Sequence, residues 1–484
     1  MNLAVHGLEG NVEGGESAIT YYNDPHEGLF GNVDYVMANP PFNVDEVDAD
    51  KIKSDTKGER KRLPFGLPGV NSNKKVSNAN YLWIQYFYSY LNDTGRAGFV
   101  MSSQTSSAGR DEAKVREKLV ETGDVDIMID IRGNFFYTRT VPCQLWFLNK
   151  NKPAHHQDKV LMIDARNVYR KVTRKIFDFS PEQQLNLTAI VWLYRGEQDK
   201  FIELLADYCQ QSIQALHSAL LPSKEKRGAA WLFTSLARQI RVISEINKDL
   251  PKEDKIDTDE IQQEFNQLKV DFITFKIQVK ETTLPNKYGL ETCIELENKL
   301  LVFSDVCHNK IKSIDALAKH VNGQVKLTVE RARNHVLALE RFIEEKPLNK
   351  KVDGHKKTTK LLNKGRILLN RTVKGAEQNR THAVQQLKQV RYFYKQINWL
   401  LSRFPEGQLC DVEGLVKLVD KTEIEKSDWS LTPGRYVGVA PKEVNDDFDF
   451  VEEINDIHLE LKELNGEAVE LAEQITQNFK GLAL

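Results

Sequence analysis

Tyr35-Val36-Met37-Ala38-Asn39-Pro40-Pro41-Phe42-Asn43 divides abruptly between two physical regimes. Val33 to Ala38 is a short apolar run, of the length and β-leaning composition expected for a strand buried on both faces. Asn39-Pro40-Pro41-Phe42 then stops it. Two consecutive prolines remove two backbone donors and hold Asn39 out of the helical region, so the strand must end in a rigid, extended loop. In an open α/β sheet, ligands sit in the crevice at the carboxyl ends of the strands. A side-chain amide, two carbonyls without competing N–H groups and an aromatic ring are therefore expected at that crevice.

These groups suit methyl transfer to an exocyclic amine. The Asn39 side-chain oxygen and the Pro40 carbonyl can both accept hydrogen bonds from an NH2 group, drawing its nitrogen out of planarity and aiming its lone pair at an incoming methyl. Phe42 can stack on a base taken out of its helix. Positioning and electrostatics suffice, without a covalent intermediate. The bland alternative is an ordinary strand-to-loop exit that happens to contain Pro-Pro.

Five further stretches surround this loop: VSNANYLWIQYFYSYL (76–91), GRAGFVMS (95–102), VDIMIDIRGNFFYTRTVPCQLWFLNK (125–150), DWSLTPGRYVGVAP (428–441) and a terminal helix opened by DFDF (447–450). With NPPFN they resemble, in order and over about half the chain, the modification subunit of type I restriction–modification systems, of the adenine-N6 DNA-methyltransferase class. The resemblance implies a partial Rossmann-like methyltransferase sheet, followed by a large α-helical domain and a coiled-coil-like C-terminal helix. It implies S-adenosylmethionine as cofactor and a flipped adenine as methyl acceptor. It makes Asn39, Pro40, Pro41 and Phe42 the catalytic loop. The implied partners are DNA, a specificity subunit, a restriction subunit and a second copy of the modification subunit. Two alternatives remain open: an inactive remnant that only scaffolds such a complex, or methylation of RNA or a protein amide.

In such subunits, a stretch like residues 1–17 lies inside the catalytic domain, after two strands that carry the Gly-rich cofactor loop. No G-x-G occurs in this sequence, and the chain reads as lacking the front of its own domain. Ile19 to Asn23 is expected to be the third strand of the sheet. Asp24-Pro25 after it reads as a turn opener, with contact to the adenine ring of the cofactor as the alternative.

Residues 44–77 form a long polar loop in which Lys51, Lys53, Lys57, Arg60, Lys61, Arg62, Lys74 and Lys75 are interleaved with prolines and glycines. Such a loop either closes over DNA phosphates or is a solvated insert. Asn78 to Leu91 reads as an amphipathic helix whose aromatic face packs on the sheet. Strands are expected at 97–101, 125–131 and 143–148, with a helix at 111–122. The alternation from 19 to 164 fits a doubly wound parallel sheet with an antiparallel edge. In similar methyltransferases the loop at Gly133–Thr138 lends a second ring to the flipped base. Phe135, Phe136 and Tyr137 are thus candidates to sandwich it against Phe42, or to bury a hairpin end.

Ser180-Pro181-Glu182-Gln183 is a helix start: Ser as N-cap, Pro at the first position and Gln at the third. The domains expected are 1–165, catalytic; 166–425, helical with a long helical projection; and 426–484, a connector and docking helix. Between Lys346 and Lys374, ten Lys/Arg accompany one Asp, either a phosphate grip or a solvated surface. Pro433-Gly434 reads as a turn with positive φ available at the glycine. In the tail, Phe450, Ile454, Ile457, Leu461, Leu464, Ala468, Leu471 and Ile475 alternate at spacings of four and three. From Glu443 to Glu473 twelve acidic residues accompany only Lys462. Self-pairing of that seam is repulsive, which favours a less acidic partner helix; folding back on the chain's own helices is the alternative.

The chain has 484 residues, enough for two or more cores. Its net charge of −2 exerts no global pull on DNA, so a nucleic-acid face has to be local. The five cysteines are scattered and never spaced C-x-x-C, which points to reduced, structural thiols. His155-His156 lacks a third ligand nearby and reads as solvated loop, so no metal is expected. The absence of an 18-residue apolar run or signal pattern points to a cytoplasmic location.

Overall fold

The computed structural model describes the chain except residues 1–5, 16–19, 58–60, 136–139, 174, 222–227 and 347–350; after 440 it describes only 454, 457, 458, 461, 464, 465, 468, 469, 471 and 472. These residues divide into two compact units, 1–187 with 409–484, and 188–408.

The first unit is built on a six-stranded sheet: β1 (Val33–Ala38), β2 (Leu91–Ser102), β3 (Val125–Ile131), β4 (Cys143–Asn149), β5 (Lys159–Asp164) and β6 (Val416–Asp420). Their spatial order is β1-β2-β4-β3-β5-β6. β1 runs parallel to β2 and β3 parallel to β5; β4 is antiparallel to both neighbours, and β6 to β5. Four strands thus run one way and two the other. The antiparallel strand expected at an edge lies inside the sheet instead. Residues 132–142, between β3 and β4, are too few for a crossover helix, so β4 returns antiparallel and inserts beside β3. The outer antiparallel edge is β6, which falls within Cys410–Ile424, a stretch whose sequence reads as a short strand and turn.

Two other expectations are corrected. None of the residues of β1 is buried, and Met37 is 95 % exposed; among the described residues β1 pairs with β2 alone and stands at the edge of the sheet. Residues 20–23 are a turn rather than a strand. Thr20 Oγ1 accepts from the backbone N–H of Tyr22 and Asn23, while Arg62 donates to the carbonyls of Thr20 and Tyr21. Carbonyls taken by a guanidinium are lost to a strand ladder.

Helices α1 (Asn80–Tyr90) and α2 (Arg110–Glu121) pack in one core with Phe99, Met101, Met128, Trp146 and Met162 of the sheet. The aromatic face of α1 is used on two sides. Tyr81 and Phe87 join the sheet core, with Phe87 and Phe99 rings 5.1 Å apart, whereas Tyr86 faces the layer made by residues 44–79. That layer is no solvated insert. Val47, Ala49, Ile52, Leu63 and Val76 form its own small core, and Arg62 is buried with its guanidinium 3.8 Å above the Tyr86 ring. Lys74 and Lys75 pair with Asp50 and Asp48; Arg60 lies outside the described residues.

Helix α3 (Pro181–Tyr194) opens with the expected box: Gln183 N–H donates to Ser180 Oγ and Ser180 N–H to Gln183 Oε1. The second unit contains α4 (Gln198–Leu220), α5 (Ala229–Asp249), α6 (Asp259–Lys280), α7 (Leu290–Glu345) and α8 (Val352–Leu401). α7 and α8 run antiparallel in one register: Glu297 meets Asn398, His308 meets Arg391, Asp315 meets Arg380 and Phe342 meets His355. Leu296, Leu300, Phe303, Cys307, Ile314, Leu317 and Val321 follow at steps of three and four, with one whole heptad between Cys307 and Ile314, on the buried face of α7, as a coiled seam requires. The cysteines are free thiols, and only Cys410 is exposed. Among the described residues no helix is long and apolar enough to cross a membrane.

Candidate functional site

β1 delivers Ala38 opposite Phe99 of β2, and the chain then leaves the sheet at Asn39. Pro40 is buried, Phe42 half-buried, and Asn39 and Pro41 exposed. Among the described residues the Asn39 amide and the Pro40 carbonyl make no hydrogen bond, and the Phe42 ring stacks on no other ring. The exposed Asn39 amide is therefore open to a ligand, with the half-buried Phe42 ring and the unpaired Pro40 carbonyl near it in the chain.

What holds the loop is Asn43. It adopts φ 55°, a left-handed conformation that asparagine tolerates better than most residues. Its backbone N–H donates to Asn80 Oδ1 at 2.8 Å, and Asn80 Nδ2 donates back to Asn43 Oδ1 at 2.9 Å. Asn80 Nδ2 also reaches Thr105 Oγ1 at 2.8 Å, and Ser102 and Thr105 hydroxyls meet at 3.2 Å. One buried side chain at the start of α1 thus ties the loop after β1 to the carboxyl end of β2. Neither asparagine stood out from the sequence, although both lie in the quoted stretches. The available signal was a polar pair breaking the apolar run into α1.

A second anchor is Arg116 on α2, 1 % exposed. Its guanidinium donates to the Tyr81 hydroxyl and to the carbonyls of Ala108, Asp428 and Trp429. Tyr81 in turn donates to the Thr105 carbonyl, and its burial pushes the phenol up to about 12, so it stays a neutral donor. The DWSLTPGRYV stretch thereby gains a role that its sequence left blank. Leu431 N–H donates to the Ser106 carbonyl, Thr432 and Ser106 hydroxyls meet at 2.7 Å, and Leu431, Tyr436 and Val437 enter the sheet core. It braces the Ser103–Ser107 turn after β2 from outside. Gly434 does not take the positive φ expected of it. A Cβ there would lie 2.6 Å from an Arg166 guanidinium nitrogen, so a larger residue would push aside the end of that half-exposed side chain.

The aromatic loop after β3 is pinched at its neck, where a Cβ on Gly133 would lie 2.6 Å from the Thr140 carbonyl. Pro142 accepts from Ser103 N–H, joining this neck to the turn after β2. Phe135 packs on Phe179, with rings 4.7 Å apart. Phe136 and Tyr137 lie outside the described residues.

Asp24 does not fit as a cofactor holder. Its Oδ1 accepts from Tyr90 Oη at 2.6 Å and from His26 N–H, its Oδ2 lies 3.3 Å from Arg62 Nε, and the side chain is 4 % exposed. It is the turn opener, locked beneath Arg62.

With this geometry in view, residues 1–211 match the family model described as N-6 DNA Methylase. The chain is 38 % identical over 180 residues to the type I restriction enzyme MjaIX methylase subunit of Methanocaldococcus jannaschii, covering 36 % of this chain and 30 % of that protein. It is 27 % identical over 183 residues to the HindI methylase subunit of Haemophilus influenzae, covering 38 % of each. The matches thus span about a third of the length of these curated relatives. Among solved structures, a type I methyltransferase subunit from Streptococcus thermophilus matches with a TM-score of 0.28 and 23 % identity, over 33 % of this chain and 31 % of that one. The type I enzyme EcoKI M protein matches with a TM-score of 0.28 and 19 % identity, over 39 % and 37 %.

Proposed function

We propose that this chain supplies the methyl-acceptor side of adenine-N6 methylation of DNA, as a modification subunit of a type I restriction–modification complex. The observation that carries the reading is the unpartnered Asn39 amide, beside the free Pro40 carbonyl and the Phe42 ring, at the carboxyl end of β1. The adenine amine donates its two hydrogens to Asn39 Oδ1 and Pro40 O, and its nitrogen lone pair turns outward. Phe42 stacks on the extruded base, and Phe135, Phe136 and Tyr137 are candidates for the opposite face. Pro41 adds rigidity rather than a contact. S-adenosylmethionine is the methyl donor in this reading, and Asp24, occupied by Tyr90 and Arg62, does not hold it. The alternative is a chain that serves the complex only as a scaffold.

The partners in this reading are DNA, a specificity subunit that docks on the tail helix, a restriction subunit and a second modification subunit. Ile454, Ile457, Leu461, Leu464 and Leu471 are helical and exposed, as a face awaiting a partner helix would be. A free-standing RNA or protein-amide methyltransferase needs neither this face nor the helical unit.

The test is Asn39→Ala in the assembled complex. Removal of an acceptor that matters most as the amine pyramidalises is expected to lower turnover by about 100-fold. Unchanged methylation excludes this loop as the catalytic one, and no methylation by the unmodified complex selects the scaffold reading.

A further inference from the structure

The surface of α8 near its N-terminus carries charge that the acceptor site does not use. Lys356, Lys360, Lys364, Arg371 and Lys374 are all exposed. At 3.6 residues per turn their spacings place them within about 80° of arc, on one face and over about 27 Å of helix. The opposite face, with Leu362, Leu369, Thr372 and Ala376, is buried. None of the five cations forms an ion pair among the described residues. Asp353, one turn before Lys356, is the only acid of α8 in this stretch. Lys326 and Arg333 of α7 add two cations, lining a cleft together with Asn370, Val373 and the carboxylate of Glu330.

We infer that this face of α8 binds the sugar–phosphate backbone of duplex DNA, independently of base sequence. The inference rests on the proposal that DNA is the substrate, and it adds a surface outside the base-capturing loop. A small anion requires donors that converge, whereas these diverge along a line. A membrane surface requires apolar side chains beside the cations, and the stripe itself contains only Ile367. A rod of cations about 27 Å long faces roughly eight base pairs of backbone at about 3.4 Å per step. The stripe presents point charges along a line, the arrangement that meets successive phosphates, so the contact is electrostatic and salt-sensitive.

Each phosphate neutralised contributes about −0.9 to the slope of log affinity against log salt, so five contacts contribute about −4 to −5. The experiment is a fluorescence-anisotropy titration of the full chain with a labelled duplex between about 50 and 200 mM salt. The variant Lys356→Gln, Lys360→Gln, Lys364→Gln, Arg371→Gln and Lys374→Gln keeps helix propensity and removes the charge. Its slope is expected to be shallower by about 4, with affinity at least about 100-fold lower at the low-salt end. Lys356→Arg, Lys360→Arg and Lys364→Arg together are expected to keep the wild-type slope. Asn39→Ala is expected to keep it too, so failure of the acceptor loop and failure of this surface read out separately. An unchanged slope in the Gln variant overturns the inference. So does tighter binding of the wild-type chain to anionic vesicles, or to an acidic peptide, than to the duplex.

Discussion

Asn43 and Asn80 hold each other twice, the backbone N–H of one on the amide oxygen of the other at 2.8 Å and an amide N–H returning at 2.9 Å. The loop that presents Asn39 and Phe42 is thus fixed from its far end, across 37 residues of chain. Asn80→Ala breaks both bonds and the one to Thr105, leaving buried groups unpaired. A loss of about 1–3 kcal/mol in stability is expected, with a fall in methylation that exceeds any fall in DNA binding. Asn80→Asp keeps the acceptor for Asn43 N–H but loses both donors, and is expected to be no better. Equal activity in either variant, at equal folded fraction, shows that the clamp does not position the loop.

Phe42→Ala separates stacking from hydrogen bonding. The affinity for a duplex carrying an extrahelical adenine is expected to weaken by about 1–3 kcal/mol, while the affinity for an intact non-target duplex stays constant. Competition binding with both duplexes reads this directly.

Arg116 binds four oxygens from three separate stretches of chain. Arg116→Met removes the charge but strands those oxygens. Losing charge-assisted bonds in a buried setting is expected to cost about 3–5 kcal/mol, with Arg116→Lys restoring only part because it lacks the fork. Thermal denaturation of the full chain measures both.

Lys152 gives a pH signature. Its ammonium donates to the carbonyls of Val125 and Lys159, and burial lowers its titration from 10.5 to about 8. Between these values the unfolded chain holds a proton that the folded chain has released, so stability rises with pH across that window. Lys152→Met is expected to lose this component. The difference in melting temperature between wild type and variant should then move in favour of wild type from pH 8 towards 10. A constant difference refutes the assignment.

Leu461→Asp with Leu464→Asp places two carboxylates on the exposed tail face. Burying them against a partner costs several kcal/mol, enough to dissolve a micromolar-to-nanomolar complex. Loss of co-purification with the specificity subunit, at unchanged helix content of the rest, is the expected result. Undiminished co-purification places the docking surface elsewhere.

Much of the arrangement was legible because local chemistry and tertiary environment agree. Pro40-Pro41 ends a strand wherever it stands, and Ser180 caps a helix by reaching only as far as Gln183. Where long-range partners decide, the pattern misleads. The run Val33–Ala38 has the composition of an interior strand but occupies an edge. Ile19–Asn23 looks like a strand until Arg62, some 40 residues on, takes its carbonyls. Arg62 itself read as a surface cation, since no local rule foretells a guanidinium lying on Tyr86. Arg116 was invisible for the same reason: half its acceptors come from Asp428 and Trp429.

The strand Val416–Asp420 has a consequence for synthesis. It pairs with Lys159–Asp164 throughout, yet the ribosome must first translate the whole of residues 188–408. At about 5–20 residues per second the first unit waits roughly 10–45 s for its last strand and for the Trp429 and Leu431 brace. During that interval the Lys159–Asp164 edge is open to pairing, and Arg116 lacks two of its carbonyls. The nascent chain is most exposed to misassembly while its helical unit is being made, so pausing within 188–408 should lower the yield of folded protein more than pausing after 437.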